Sequence, residues 1–136
     1  MSDQRLKIQA DGGSRGNPGP AACGVVIKDE KGKVLSKHSK YLGIATNNQA
    51  EYNGIILGLE EAKKITKGEI DYYLDSLLAV NQLKQTFKVK NKEIQTLFVK
   101  VWNLSINFKK VRYHHIPREE NKEADLMVNL ELDKHK

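Results

Sequence analysis

Residues 6–20 read Leu6-Lys-Ile-Gln-Ala10-Asp11-Gly-Gly-Ser14-Arg-Gly-Asn17-Pro-Gly-Pro20, and this stretch sets the reading of the whole chain. Leu6, Ile8 and Ala10 alternate with Lys7 and Gln9, the period of a strand with one buried face. The strand is expected to end at Asp11. Gly12 to Pro20 then reads as a Gly/Pro-rich connection between two strands. It lacks the Gly-Lys-Ser/Thr ending of a nucleotide-binding P-loop and does not lead into a helix, so a mononucleotide cradle is a poor fit. Its backbone amides could still face a phosphate group. Cys23 to Ile27 reads as the second strand, Asp29 to Gly32 as a turn, and Val34 to Leu42 as the third strand, together an antiparallel meander.

Downstream the periodicity changes. Thr46 or Asn47 can cap a helix in which Ala50, Ile55, Leu57, Leu59 and Ala62 cover a broad face, with Gly68 closing the segment. Glu69 to Leu74 is a fourth strand, again ending at an acid, Asp75. A short helix over Ser76 to Leu83 and a longer one over Asn91 to Phe108 follow, the second with Ile94, Leu97, Val101, Leu104 and Phe108 at helical spacing. Val111 to Ile116 is a fifth strand, broken by Pro117, and Asn121 to Leu132 a last helix. This order predicts an α/β fold, a five-stranded mixed sheet with helices packed on its faces. No internal repeat, linker or low-complexity tract interrupts it.

The chain has 136 residues and 39% apolar residues, matching one domain with one core over residues 1–136. A net charge of +6 favours polyanionic partners. The single cysteine, Cys23, excludes an internal disulfide, and its apolar surroundings make it a core residue rather than a nucleophile. No apolar stretch reaches membrane-spanning length and no signal-peptide core is present, so a cytoplasmic protein with no membrane partner is expected.

Four acids stand in distinctive polar contexts: Asp11, Glu51 in Thr-Asn-Asn-Gln-Ala-Glu-Tyr, Asp75 in Tyr-Tyr-Leu-Asp-Ser, and Asp125 in Pro-Arg-Glu-Glu-Asn-Lys-Glu-Ala-Asp. Asp11 and Asp75 sit where strands end, and neighbouring strand ends can converge on one site. Glu51 and Asp125 lie one turn into helices that could reach the same edge. Clustered carboxylates repel one another unless a cation neutralises them. An all-oxygen set suits a hard cation, Mg²⁺ with Mn²⁺ as a substitute. Four ordinary surface acids among the chain's seventeen Asp and Glu residues would give the same spacing, so spacing alone does not decide.

The motifs around these acids, in this order and spread from about Lys7 to Asn129, closely resemble type 1 ribonuclease H, most of all its compact prokaryotic members. The resemblance implies a ribonuclease H-like fold and endonucleolytic cleavage of the RNA strand of RNA–DNA hybrids by a monomer. It implies metal binding by Asp11, Glu51, Asp75 and Asp125. One ion would activate a water and the other stabilise the departing 3′ oxygen, leaving 5′-phosphate and 3′-hydroxyl ends. Asn17 and Thr46 match positions that hold a phosphate of the DNA strand, and Asn48 one that touches the minor groove. Gly12, Gly13 and Ser14 would face the RNA strand and its 2′-hydroxyls, and Ser76 would also contact the hybrid.

Leu77 departs from the family, many members of which carry a polar residue there. Some members also use a histidine after the fifth strand. An ungapped alignment points to His115, while Arg118 is the alternative and is favoured here, as a permanent cation able to hold a phosphate. Lys84, Lys88, Lys90 and Lys92, beside Phe87 and Val89, form a basic run that could track a DNA backbone or merely face solvent. Three other readings stay open: a same-fold nuclease with broader substrates including double-stranded RNA, a non-catalytic hybrid-binding module, and the detached nuclease half of a reverse transcriptase. Retention of all four acids argues against the non-catalytic module.

Overall fold

Gly12 and Gly54, one on a strand and one on a helix, let the helix and the sheet meet backbone to backbone, and the rest of the architecture is arranged around that contact. The computed structural model describes residues 3–85 and 88–136. Strands β1 (Leu6–Ser14), β2 (Gly19–Asp29) and β3 (Val34–Ala45) precede helix α1 (Asn47–Lys63). Strand β4 (Glu69–Leu74), helices α2 (Leu77–Leu83) and α3 (Lys92–Ser105), strand β5 (Lys110–His115), a 3-10 turn (Arg118–Glu120) and helix α4 (Lys122–Asp133) follow. The sheet order is β3-β2-β1-β4-β5. β1, β2 and β3 pair antiparallel, as the meander reading requires, and β4 and β5 run parallel to β1. The expected five-stranded mixed sheet is the fold observed.

The helices start where short polar side chains can take up free amide groups. Thr46 caps α1: its hydroxyl oxygen accepts from the Gln49 N–H at 3.1 Å, and the Gln49 side chain accepts from the Thr46 N–H at 2.8 Å. Ser76 caps α2 and Asn91 caps α3 in the same way. Leu6, Ile8, Ile55, Leu59, Ile70 and Tyr72, all fully or nearly fully buried, form the main core between the sheet and α1. α4 covers the other face of β1 and β2, where Ala22 packs with Val128 and Leu132.

Several boundaries differ from the sequence reading. The Gly-rich stretch is mostly strand: β1 continues to Ser14, β2 begins at Gly19, and only Arg15 to Pro18 turn. The strand persists because Gly12 and Gly13 stay paired with Cys23 and Ala22 while helices close over both faces. β3 extends to Ala45 rather than Leu42. α3 ends at Ser105 rather than Phe108. Tight bonds from the Asn107 and Phe108 N–H groups close the helix, and the Lys109 N–H bonds back to Lys67 and Gly68, turning the chain into β5. Lys84, Lys88, Lys90 and Lys92 are exposed. Phe87, read with them, lies outside the described residues.

The contact between β1 and α1 has no spare room. A Cβ on Gly12 would lie 2.2 Å from the Ala50 backbone, and one on Gly54 would lie 2.9 Å from the Asp11 carbonyl oxygen. Backbone cannot yield to such a clash without moving the helix. Gly12→Ala is therefore expected to destabilise the fold by about 3 kcal/mol or more in urea unfolding, with the helical far-ultraviolet signal retained in any folded fraction.

Candidate active site

β1 pairs with β4 only from Leu6↔Ile70 to Gln9↔Tyr73; beyond Gln9 its partner on that side is gone. β1 runs on alone beside β2, and β4 ends at Leu74. The opening so created is where the acids meet. Asp11 enters from β1, Asp75 from the residue after β4, and Glu51 from the first turns of α1. One carboxylate oxygen from each lies within 4.8 Å of the others. Asp125, from α4, lines the same cleft, which encloses about 390 Å³. The groove of about 560 Å³ beside β5 is larger, but contains no acid.

The backbone holds this cluster together. The Gly12 N–H donates to Asp11 Oδ1 at 2.9 Å and points at Glu51 Oε1 at 3.3 Å. Asn121 is fully buried; its side-chain N–H groups donate to the Ala10 carbonyl at 2.9 Å and to Asp75 Oδ2 at 3.1 Å. Glu51 Oε2 is buried and has no hydrogen-bond partner. A buried carboxylate oxygen without a donor is costly unless a cation meets it.

Electrostatics agree with that geometry. Burial pushes Asp11 up to about 7; the hydrogen bonds with Glu51 and from the Gly12 N–H oppose the shift, while the Asp75 charge and the hydrogen bond with Asp125 add to it. Burial, and then the Asp11 charge, pushes Glu51 well above the carboxylate range. Without a cation the pair therefore retains protons near neutrality. The donor set, three converging carboxylates with a fourth at the margin and no nitrogen or sulfur, fits a hard divalent ion. Burial also lifts the Cys23 thiol to about 12, in keeping with a core residue.

Most of the residues singled out from sequence gather here. Gly12, Gly13, Ser14, Asn48, Glu51, Asp75, Ser76, Arg118 and Asp125 line the acidic cleft together with Asp11. Asn17 and Thr46 line a second depression, and Asn48 borders both. Arg118 reaches the cleft from the 3-10 turn; His115, at the exposed end of β5, does not line it. Leu77, 55% exposed, follows Ser76 on the first turn of α2.

Two residues have structural roles at the site that their place in the sequence does not signal. Asn121 passed for a helix start, yet its side chain turns inward instead of capping α4. Asn47 passed for a possible cap, yet its Oδ1 accepts from the Ser14 N–H at 2.9 Å and its own N–H donates to Asn17 Oδ1 at 3.0 Å. It thus ties the turn after β1 to the start of α1. Both are polar residues at helix starts, and their spacing carries no sign of an inward contact.

The comparisons with known proteins agree with this arrangement. A family model described as reverse transcriptase-like matches residues 9–131. The chain is 40% identical over 130 residues to the bifunctional protein Rv2228c of Mycobacterium tuberculosis, covering 95% of this chain and 36% of that protein. It is 36% identical over 129 residues to ribonuclease HI of Halobacterium salinarum, covering 95% of this chain and 65% of the relative. The chain thus spans about a third of the mycobacterial relative and just under two thirds of the halobacterial one. The crystal structure of LC11-RNase H1 in complex with RNA/DNA hybrid, a protein isolated from compost, superposes with a TM-score of 0.91 at 41% identity, covering 96% of this chain and 98% of that one.

Because the folded Asp11–Glu51 pair retains protons that the unfolded chain has already released, stability in EDTA should fall as pH rises from the ordinary carboxylate range through about 7. Asp11→Asn should flatten this slope and raise the melting temperature near neutral pH, by about 4 °C for each kcal/mol of repulsion relieved. Added Mg²⁺ should stabilise the parent more than the variant in the same melts. Asn121→Ala should cost about 2 kcal/mol, through the lost bonds to Ala10 and Asp75. It should also raise the Mg²⁺ concentration needed for half-maximal thermal stabilisation, since Asp75 loses its orientation.

Proposed function

Because the chain belongs to the ribonuclease H family, we propose that it is a metal-dependent endonuclease that hydrolyses the RNA strand of RNA–DNA hybrids. The observation carrying this reading is the convergence of Asp11, Glu51 and Asp75 on one opening, with the buried Glu51 Oε2 lacking a donor. The solved complex of LC11-RNase H1 with a hybrid supports the substrate class. Asp11, Glu51, Asp75 and Asp125 would hold two divalent ions, Mg²⁺ by preference and Mn²⁺ as a substitute. Such ions, when bound, supply the charge that activates a water for in-line attack and stabilises the departing 3′ oxygen, giving 5′-phosphate and 3′-hydroxyl ends.

The chain's own groups bind and orient. The Gly12 N–H fixes Asp11 and reaches toward Glu51, while Asn121 fixes Asp75, so the carboxylates are aligned before substrate arrives. Gly12, Gly13 and Ser14 line the cleft with backbone, which allows the close approach needed to sense a 2′-hydroxyl. In the neighbouring depression, the Thr46 hydroxyl oxygen is occupied by the Gln49 N–H, leaving its hydrogen to donate to a phosphate. Asn17 Oδ1 is likewise occupied by the Asn47 N–H, leaving its amide N–H groups for the same phosphate. A phosphate of the DNA strand held there would put the RNA strand over the acids. Asn48, bordering both depressions, is suited to the minor groove between the strands, and Ser76 to the cleft side of the same hybrid.

Arg118 contributes a fixed positive charge at the cleft and is the better candidate than His115 for gripping the scissile phosphate. The protein would act as a monomer, residues 1–136 forming one catalytic domain. A cytoplasmic location is part of the same proposal. Structurally, no helix among the described residues is long and apolar enough to cross a membrane.

Labelled hybrid, double-stranded RNA, single-stranded RNA and DNA duplex, each with Mg²⁺, Mn²⁺ or EDTA, test the assignment. Hybrid alone should be cut, and only with metal; equal cutting of double-stranded RNA would broaden the substrate class. Asp11→Asn, Glu51→Gln and Asp75→Asn should each lower hybrid cleavage by several orders of magnitude, and Asp125→Asn by less. Near-parental rates in the first three would sink the proposal. Arg118→Ala should slow cleavage more than His115→Ala, and Arg118→Lys should recover only part of the loss. Binding to uncleaved hybrid in Ca²⁺ separates affinity from turnover in these variants.

A further inference from the structure

β5 is the last strand on its side of the sheet, and the groove of about 560 Å³ runs beside it. Six consecutive residues, Lys109 to His114, line that groove. Side chains on one face of a strand alternate, so an unbroken run marks a groove along the strand's edge. An edge presents a row of backbone N–H and C=O groups without a strand partner. The groove's far wall is α3 and the residue that follows it, which contribute Phe98, Trp102 and Ile106. Trp102 and Ile106 are 52% and 72% exposed.

Charge on the groove has one sign. Lys84, Lys109 and Lys110 are exposed on its rim, and no Asp or Glu lines it. Arg112 and His114 also belong to the lining, but their side chains are engaged by Glu69 and Asp71. Lysines on an edge commonly guard against unwanted strand pairing. Here they repel a second copy of this chain, whose net charge is +6, and attract a strand of opposite charge.

We propose that this groove docks an extended acidic segment of a partner protein, which adds as a strand to β5 and lays an apolar side chain against Trp102 and Ile106. Main-chain pairing supplies the affinity, and the alternate side chains supply the selection. Carboxylates on the segment face Lys84, Lys109 and Lys110. A nucleic-acid backbone matches the charge but offers neither a matching row of peptide groups nor an aliphatic side chain for the groove. The groove shares no lining residue with the acidic cleft. α2 connects the two, starting beside Ser76 and ending beside Lys84, so a docked partner leaves the acids open to substrate. Docking of this kind tethers the protein to a partner without occupying its site, and it stands or falls independently of the nuclease reading.

Trp102 is the only tryptophan in the chain, so its fluorescence reports on this groove and on the adjoining depression beside Lys88 and Val89, and the Lys109→Glu, Lys110→Glu variant separates the two. The whole protein is titrated with a synthetic peptide alternating glutamate and leucine, with a lysine-for-glutamate version, and with two versions N-methylated on one or the other alternate set of backbone nitrogens. Single-stranded DNA and uncleaved hybrid in Ca²⁺ serve as the nucleic-acid arms. The acidic peptide should shift Trp102 emission to the blue and bind more weakly as salt rises, while the lysine peptide does nothing. At least one N-methylated version should lose about tenfold in affinity, as should Lys109→Glu combined with Lys110→Glu. Hybrid cleavage by that charge-reversal variant should stay at the parental rate. An unchanged emission, equal binding of both N-methylated versions, or displacement of the peptide by single-stranded DNA would overturn the proposal.

Discussion

The backbone contact between β1 and α1 is the constraint from which the acidic site follows. Gly12 and Gly54 face each other's elements without side chains, so the Ala50 backbone closes on Gly12 and the Asp11 carbonyl on Gly54. That closeness carries Glu51, the residue after Ala50, to the Asp11 end of the strand. A single methyl group at either glycine would separate the two carboxylates along with the two elements. The Gly12 amide completes the arrangement by donating to Asp11 and reaching toward Glu51. Gly12, which reads as part of a loose Gly-rich turn, is therefore packed backbone to backbone against the helix.

The same contact creates an electrostatic conflict that the fold does not relieve by itself. Burial and mutual repulsion raise both Asp11 and Glu51, and Glu51 Oε2 is left without a donor. An ordinary structural site would resolve this with lysine or arginine, as the buried Asp71 is resolved by hydrogen bonds from Arg5 at 2.8 Å and His114 at 2.9 Å. Burial alone would raise Asp71, yet those bonds outweigh it and its carboxyl is held below the ordinary value. The contrast between the two buried carboxylate sites is informative. One is met by the chain's own Arg5 and by a hydrogen bond from His114, and the other is left with oxygen ligands facing an open cleft, as a hard external cation requires.

The sheet also separates two surfaces of different character. Parallel pairing of β1, β4 and β5 brings the strand ends, and the acids, to one edge. The outer side of β5, with its lysines and the exposed Trp102, lies beyond the last strand. α2 spans the interval. A chain this small can in this way keep substrate chemistry and partner attachment apart on opposite ends of one short helix.

Strand and helix periodicities, the order of the elements, and the motifs around Asp11, Glu51, Asp75 and Asp125 were legible from the residues alone, because hydrophobic spacing and capping residues are local properties. Leu6, Ile8 and Ala10 announce a strand wherever they occur, and Thr46 with Gln49 announces a helix start. Other features depended on what lies across space. The strand character of Gly12 to Ser14 comes from pairing with β2 and the pressure of two helices, which no local rule encodes. Asn121 and Asn47 carry ordinary cap residues' names, and only the packed structure turns one toward Asp75 and the other toward Ser14. The location of Arg118 at the cleft and of His115 outside it depends on a 3-10 turn that redirects the chain after Pro117. Composition gave the sign of the protein's charge; only the sheet order put three lysines beside an unpaired edge. Local chemistry determines which elements form, and distance in the folded chain determines which of their side chains meet.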